Sequence, residues 1–474
     1  MMGLAGRGPR RALAAIAAAL ALIIAAGPLA LGGSAQQAYQ NLLGDVLKAL
    51  PTGWVVLEHY DRGWFGSRAQ AELTLQPRPG GGLARPLRIR LTSRVSHGPL
   101  HWFAAYPPVL TRVETRAELP ELGVGLPPLL VSTDILADGR IRARLRVPAG
   151  DRPGRNGTYR LRNEELAGTV ELESGGNRIL ADIDLPGLAL LAPGGRVAEF
   201  KGVALAADLR DWTGGLYAGT GRLSVGSALL GPSAPETRLE GLKLSLAQTP
   251  RDGALDLRVE LEADTLGYEG RVYRKARLGF AASGLDGETL SELARGHEAL
   301  SSGAVPPAMR GLIGAALMAR LLPRLAAAGL RLSIEPLRIQ TPEGLASARL
   351  SLGLEGGGSD GNPADAPLAD PRVWISALTG DGEMELPETL ALEWLGRVGS
   401  APGATPGSAG DARADAARAR MKAWVEGGWV SELDGRIASN LRLAGGVLTV
   451  NGKAVPLLRH QGPASAPGLS DETP

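Results

Sequence analysis

From about residue 51 onward, apolar and polar residues alternate with a period of two, the pattern of a strand with one face covered and the other wet. In Arg140-Ile141-Arg142-Ala143-Arg144-Leu145-Arg146-Val147, arginines interleave with apolar residues. Between Ala254 and Glu262, one face carries Leu255, Leu257, Val259 and Leu261. The other carries Asp256, Arg258, Glu260 and Glu262. Shorter copies occupy 87–91, 242–246, 330–334 and 350–354. A charged face on every strand points to antiparallel sheet, because parallel strands are covered on both sides and read as continuous apolar runs. Asp-Gly at 138, 252, 286, 360, 381 and 434 and Asn-Gly at 156 and 451 supply the positive φ that tight hairpins need.

Helical spacing is confined to a few segments. Gln36 to Leu50 reads as a short helix ended by Pro51. Glu288 to Leu300 and Pro307 to Leu322 read as a helical insert, with Pro323 interrupting the second helix. Asp411 to Glu426 reads as a further helix, with Asp411 as its N-cap and Gly427 as its stop. Residues 355–371 and 399–410 are rich in Gly, Ala, Pro, Ser and Asp and read as loops. The chain holds 66 Gly and 34 Pro without a collagen-like period, and its 44% hydrophobic content suffices for a large core.

Charge narrows the partners. Lys+Arg is 51 against 49 Asp+Glu, and Arg7, Arg10 and Arg11 precede the first acidic residue, Asp45. Without those three the body is near neutral, which gives no electrostatic footprint for nucleic acid. Cysteine is absent, which excludes a disulfide framework, thiol catalysis and Cys-ligated zinc.

The same three arginines flank an uncharged stretch from Ala12 to Leu31. A helix of that length matches the ~30 Å of a bilayer core. Arginine on its N-terminal side keeps that end in the cytoplasm and sends the body across. The expected organisation is a basic tail at 1–11, an anchor at 12–31 and a membrane-proximal helix at 36–50. A β-rich region follows at 51–285, a helical insert at 286–329, and β structure with a short helix at 330–398. A linker at 399–410, a helix with a C-terminal hairpin at 411–458 and a disordered tail at 463–474 complete the chain. Cleavage after Gly33-Ser34-Ala35 is the alternative to a retained anchor. The fold class is mainly β (α+β): an extended antiparallel sheet, curved or closed into a sandwich, with the helical insert and one N-terminal transmembrane helix.

Catalytic signatures are absent: the chain has no H-E-x-x-H, no G-x-S-x-G and no dinucleotide-binding glycine pattern after a strand. Gly446 to Lys453 falls short of a phosphate loop, because Lys453 is followed by Ala454, and reads as a hairpin turning at Asn451-Gly452. Of the five histidines, only His97 and His101 lie close, and Pro99 between them sets them about 13 Å apart on extended chain. Glu164 and Glu165 read as a solvated pair. No cofactor, metal or catalytic residue is expected, and the chain reads as non-enzymatic. A hydrolase built on dispersed acidic residues is the alternative. Trp54, Tyr60, Trp64, Phe65, Trp102, Phe103 and Tyr106 concentrate seven aromatics near the start of the body, as local packing or as a lipid-facing surface.

Three motifs carry a resemblance. Tyr60-Asp61-Arg62-Gly63-Trp64-Phe65-Gly66-Ser67 follows the anchor, Val95-Ser96-His97-Gly98-Pro99-Leu100 comes next, and Leu448-Thr449-Val450-Asn451-Gly452-Lys453 stands near the C-terminus. Their order resembles the YdgA-like family, bacterial proteins with a domain of unknown function. The positions that carry it are Gly63, Trp64, Phe65, Ser67, His97, Gly98, Pro99, Leu100, Asn451, Gly452 and Lys453. The resemblance implies an inner-membrane anchor and a periplasmic body, and transfers no catalytic residue. Amphipathic strands in such a body admit two outcomes: a dry sandwich core, or an open apolar groove wide enough for an acyl chain. The groove fits a looser similarity to AsmA-like envelope proteins and makes phospholipid the expected ligand. A scaffold that binds another envelope protein through sheet edges is the alternative.

Overall fold

The computed structural model describes residues 53–62, 66–75, 87–97, 109–119, 127–154, 157, 159–213, 216–231, 237–251, 253–268, 270–301, 306–354, 375–398 and 410–457. All described strands join one antiparallel sheet. It opens with β1 (Gly53–Arg62), β2 (Gly66–Leu75), β3 (Leu87–His97), β4 (Val109–Glu118), β5 (Leu129–Leu136) and β6 (Ile141–Val147). A small hairpin of β7 (Gly150–Pro153) and β8 (Arg160–Asn163) follows, then β9 (Leu166–Leu172), which pairs with β6. The long strands come next: β10 (Arg178–Ala192), β11 (Gly195–Thr213), β12 (Leu216–Leu230), β13 (Thr237–Arg251), β14 (Ala254–Tyr268) and β15 (Arg271–Asp286).

Two helices, α1 (Gly287–Ser301) and α2 (Pro307–Ala327), interrupt the meander before β16 (Arg331–Thr341), β17 (Gly344–Leu354) and β18 (Leu378–Pro387). Helices α3 (Glu388–Val398) and α4 (Gly410–Glu426) precede β19 (Ser431–Leu433), β20 (Arg436–Ala444), β21 (Val447–Val450) and β22 (Lys453–Pro456). Almost every strand pairs with its sequence neighbour, so the sheet is an up-and-down meander. Among the described strands, it departs from that order where β9 pairs β6, where β8 pairs β10 and where β20 pairs β18.

The alternating segments all fall on strands, and the mainly β expectation holds as one continuous antiparallel sheet. The turn signals are less uniform. Asp138-Gly139, Asp434-Gly435 and Asn451-Gly452 close hairpins, with Gly139 at φ +81° and Gly452 at φ +83°. Asp286-Gly287 does not: it starts α1, because Asp286 accepts hydrogen bonds from the Thr289 backbone N–H at 2.8 Å and its hydroxyl at 2.7 Å. Asp381-Gly382 lies inside β18, paired with Ser351 and Leu350 of β17. A two-residue signal gives way there to neighbours on both sides.

The proline break at Pro323 is also corrected, since α2 runs through it to Ala327. Burial of Leu321, Leu325 and Ala326 around it offsets the one backbone hydrogen bond that proline cannot donate. The expected anchor at 12–31, the helix at 36–50, the linker up to 409 and the tail at 463–474 lie outside the described residues, as does the Asp-Gly at 360. Among the described residues, no helix is long and apolar enough to cross a membrane.

Candidate functional site

Strand register lines up one residue per strand into a single row across the sheet. It begins Ala69–Ser93–Thr115–Val131–Leu145–Gly168–Ile183, each residue opposite the next on adjacent strands. It continues Leu205–Leu223–Leu244–Leu261–Leu278–Leu337–Ala348–Met384–Ser439. At ~4.8 Å between strands, this track runs for roughly 70 Å along the sheet. A flanking row on the same face, Ala207–Gly221–Leu246–Val259–Phe280–Ile334–Leu350, is equally apolar. The side-chain period of two places all of these residues on one face.

The face is not uniform along its length. Over β2 to β9 it is dry: Leu73, Ile89, Leu91, Val131, Ile141, Ala143, Leu145 and Val170 form one buried cluster. The hydroxyls of Ser93 and Thr115, the two polar members of the row there, satisfy each other at 3.0 Å. From β11 to β16 most of the same face is half-buried, with Val225, Ala263 and Ala282 covered, and Leu261, Leu278 and Leu337 are exposed at 37%, 37% and 40%. Both outcomes that amphipathic strands admit therefore occur in one sheet: a dry core at one end and a partly open apolar face over β11 to β16, before Ile437 and Ser439 are covered again at β20.

The opposite face is polar throughout. Its row Asp184–Ala204–Ser224–Lys243–Glu262–Arg277–Arg338 carries cross-strand ion pairs such as Arg277 with Glu262 at 3.1 Å. Over the dry end, Asp134 is the one buried acid of this face among the described residues. It accepts hydrogen bonds from Arg112 Nε at 2.6 Å and Nη2 at 3.1 Å, and from Arg144 Nη2 at 2.6 Å. The Asp134 carboxylate in turn holds the Arg112 guanidinium above its ordinary range, against the opposing effect of burial.

The helices pack in two pairs, α1 and α2 against β15, and α3, with α4 on it, against β18 and β20. In α1 and α2, Glu292 pairs with Arg320 and, at 3.2 Å, with Arg324. Gly296 lets the helices approach, since a Cβ there would lie 2.3 Å from Leu317 Cδ2. Arg271, at the start of β15, joins Glu343 of the β16–β17 turn at 2.9 Å and Glu393 of α3. These two acids converge on one guanidinium, which pairs with Glu343 through Oε1 alone and leaves Oε2 buried without a hydrogen-bond partner. Among the described residues, no group of three or more His, Asp and Glu is placed to hold a metal ion.

The motif positions divide between the two edges of the sheet. Ser67 is buried on β2 opposite Val95, and Gly66 stands opposite Ser96, so the first two motifs share neighbouring strands. His97 ends β3 opposite Thr111. Gly63, Trp64, Phe65, Gly98, Pro99 and Leu100 lie outside the described residues, as do Trp102, Phe103 and Tyr106. Asn451, Gly452 and Lys453 form a clamp at the other edge. Asn451 turns with φ +47°, its Oδ1 accepts from the Asn440 N–H at 2.8 Å, and its Nδ2 donates to the Gly428 carbonyl at 3.3 Å. Lys453 Nζ donates to the Gly427 carbonyl at 2.9 Å. The motif thus ties the end of α4 to the last hairpin, a structural task, over a small core of Ala391, Leu395, Ala417, Met421 and Ile437.

A family model described as "Bacterial protein of unknown function (DUF945)" matches residues 11–458. The chain belongs to this family. The DUF945 match takes in every strand from β1 to β22, and with them the whole apolar track and all three motifs. No curated protein and no solved structure matches the chain.

The pattern of alternation identifies the amphipathic strands, including 242–246, 254–262 and 330–334 of the exposed stretch, but not the track that joins them. The signal that finds the track is the run of leucines at like positions in successive strands: Leu205, Leu223, Leu244, Leu261 and Leu278.

Proposed function

We propose that this chain is a YdgA-like, non-enzymatic envelope protein, anchored in the inner membrane through 12–31, whose periplasmic sheet carries phospholipid acyl chains on its apolar track. One observation carries the reading: the leucine row stays partly open to water from β11 to β16 although its continuation at the other end is dry. Contiguous exposed apolar surface of this extent marks a binding surface. One leaflet of a bilayer core is about 15 Å thick, so an acyl chain laid across the strands covers about three of them. Covering leucines with methylenes is favourable at about 25 cal/mol per Å² of apolar surface removed from water. The polar opposite face gives the sheet a defined wet side.

A photoreactive residue at Leu261, in full-length protein extracted in mild detergent, should cross-link phospholipid, detected by mass spectrometry. The same group at Glu262, one residue along and on the opposite face, should not. Equal yields at both positions, or none at either, would overturn the reading.

A further inference from the structure

We propose that a polar row flanking the apolar track is a headgroup rail that selects a zwitterionic glycerophospholipid carrying a primary amine. This rests on the acyl-chain reading above and adds the identity of the headgroup. The row is Lys201–Ser227–Glu240–Thr265–Arg274, each residue opposite the next on β11 to β15. Each lies two residues along its strand from Val203, Val225, Leu242, Ala263 and Ala276, of which Val203, Val225 and Leu242 stand opposite one another, as do Ala263 and Ala276. The polar row therefore shares the face of the leucines and runs beside them, ~7 Å from the nearest apolar row.

The charge sequence along the rail is positive, neutral, negative, neutral, positive, with charges on alternate strands about 10 Å apart. Two more charged residues on this face lie just beyond it. Glu199 sits 3.4 Å from Lys201, and Arg238 sits 2.8 Å from Glu240. Glu199 also pairs with Arg196. The Arg238–Glu240 pair is exposed on both sides and worth little, so exchanging Arg238 for a headgroup group costs little. A phosphate suits Lys201 or Arg274, the latter by a two-pronged guanidinium contact. The ammonium of an ethanolamine head suits Glu240 as donor to acceptor. A quaternary amine has no N–H to donate to Glu240, and an uncharged glycerol head on an anionic lipid leaves the carboxylate without a cation. The acyl chains of the same molecule then fall across Leu244, Leu261 and Leu278.

The test incubates full-length protein with vesicles holding equal parts of palmitoyl-oleoyl phosphatidylethanolamine, phosphatidylglycerol and phosphatidylcholine, then re-isolates it and quantifies bound lipid by mass spectrometry. The wild type should enrich phosphatidylethanolamine about three- to fivefold, the scale of one exposed ion pair. Glu240→Lys should move the preference to phosphatidylglycerol, and the milder Glu240→Gln should abolish the preference for phosphatidylethanolamine. Lipid bound in the proportions of the vesicles by all three proteins would overturn the rail and leave the track standing. Retention of no lipid by the wild type would overturn both.

Discussion

Leu261 on β14 and Leu278 on β15 stand directly opposite each other, and each leaves more than a third of its surface open to water. Leu91, on the same face at the other end of the sheet, is 2% exposed. The two sites should respond differently to truncation. Leu91→Ala removes a fully packed side chain and should cost about 2–5 kcal/mol, whereas Leu278→Ala should cost under about 1 kcal/mol because little packing is lost. Urea titration of each variant checks this, and equal losses would mean that the exposed stretch is core.

Asp134 joins β4, β5 and β6 through two arginines on the polar face. Asp134→Ala should destabilise the protein by about 2–3 kcal/mol, the range for hydrogen bonds to a charged group. Arg116→Ala, which breaks an exposed pair with Glu118, should change stability by less than about 0.5 kcal/mol. Thermal melting of the two variants side by side provides the comparison.

Asp286 caps α1 under conditions that make its contribution pH-dependent. Burial opposes its ionisation, but hydrogen bonds from the Thr289 hydroxyl and from the Thr289 and Glu288 backbone, together with Arg324, hold its carboxyl below the ordinary range. The folded value is the lower one. The stabilisation is therefore complete above the unfolded value of about 3.9 and is lost as pH falls through the folded one. Asp286→Ala should cost about 1 kcal/mol at pH 7. Its melting temperature should converge on that of the wild type as the pH is lowered below about 4, and a constant difference down to pH 3 would contradict the assignment.

Asn451 does two separable things, turning the last hairpin and bonding Asn440 and Gly428. Asn451→Gly keeps the left-handed turn and removes the side-chain bonds, so it should cost about 1 kcal/mol. Gly428 also holds φ +70°, and a Cβ there would lie 2.5 Å from the Lys453 side chain. Gly428→Val should therefore cost more than Asn451→Gly. Denaturant midpoints rank the two.

The strands were legible because alternation is a local property: Ile141, Ala143 and Leu145 face one way whatever surrounds them. The helices at 287–301 and 410–426 were legible for the same reason. Register is not local. Nothing between Ala254 and Glu262 says that Leu261 will meet Leu244 on one side and Leu278 on the other, so the track and its polar flank emerge only from the assembled sheet. Burial was equally hidden, since β3 and β14 alternate alike and yet one is dry and the other half-open. Asp286 and Asp381 misled because an aspartate side chain also serves as a helix cap, and because a strand paired on both sides overrides a two-residue turn preference. The Asn-Gly-Lys motif was visible as a turn, while its grip on Gly427 and Gly428, more than twenty residues away in sequence, was not.

Pairing between sequence neighbours makes the long sheet behave as a ruler. Excising one up-and-down pair, β13 and β14, would bring Leu223 of β12 against Leu278 of β15 with both still on the same face. The molecule would be shorter by about 10 Å, its apolar stripe uninterrupted. The distance such a sheet can bridge is thus counted in hairpins, and chains of this kind can be lengthened or shortened by whole pairs of strands without relearning how to fold.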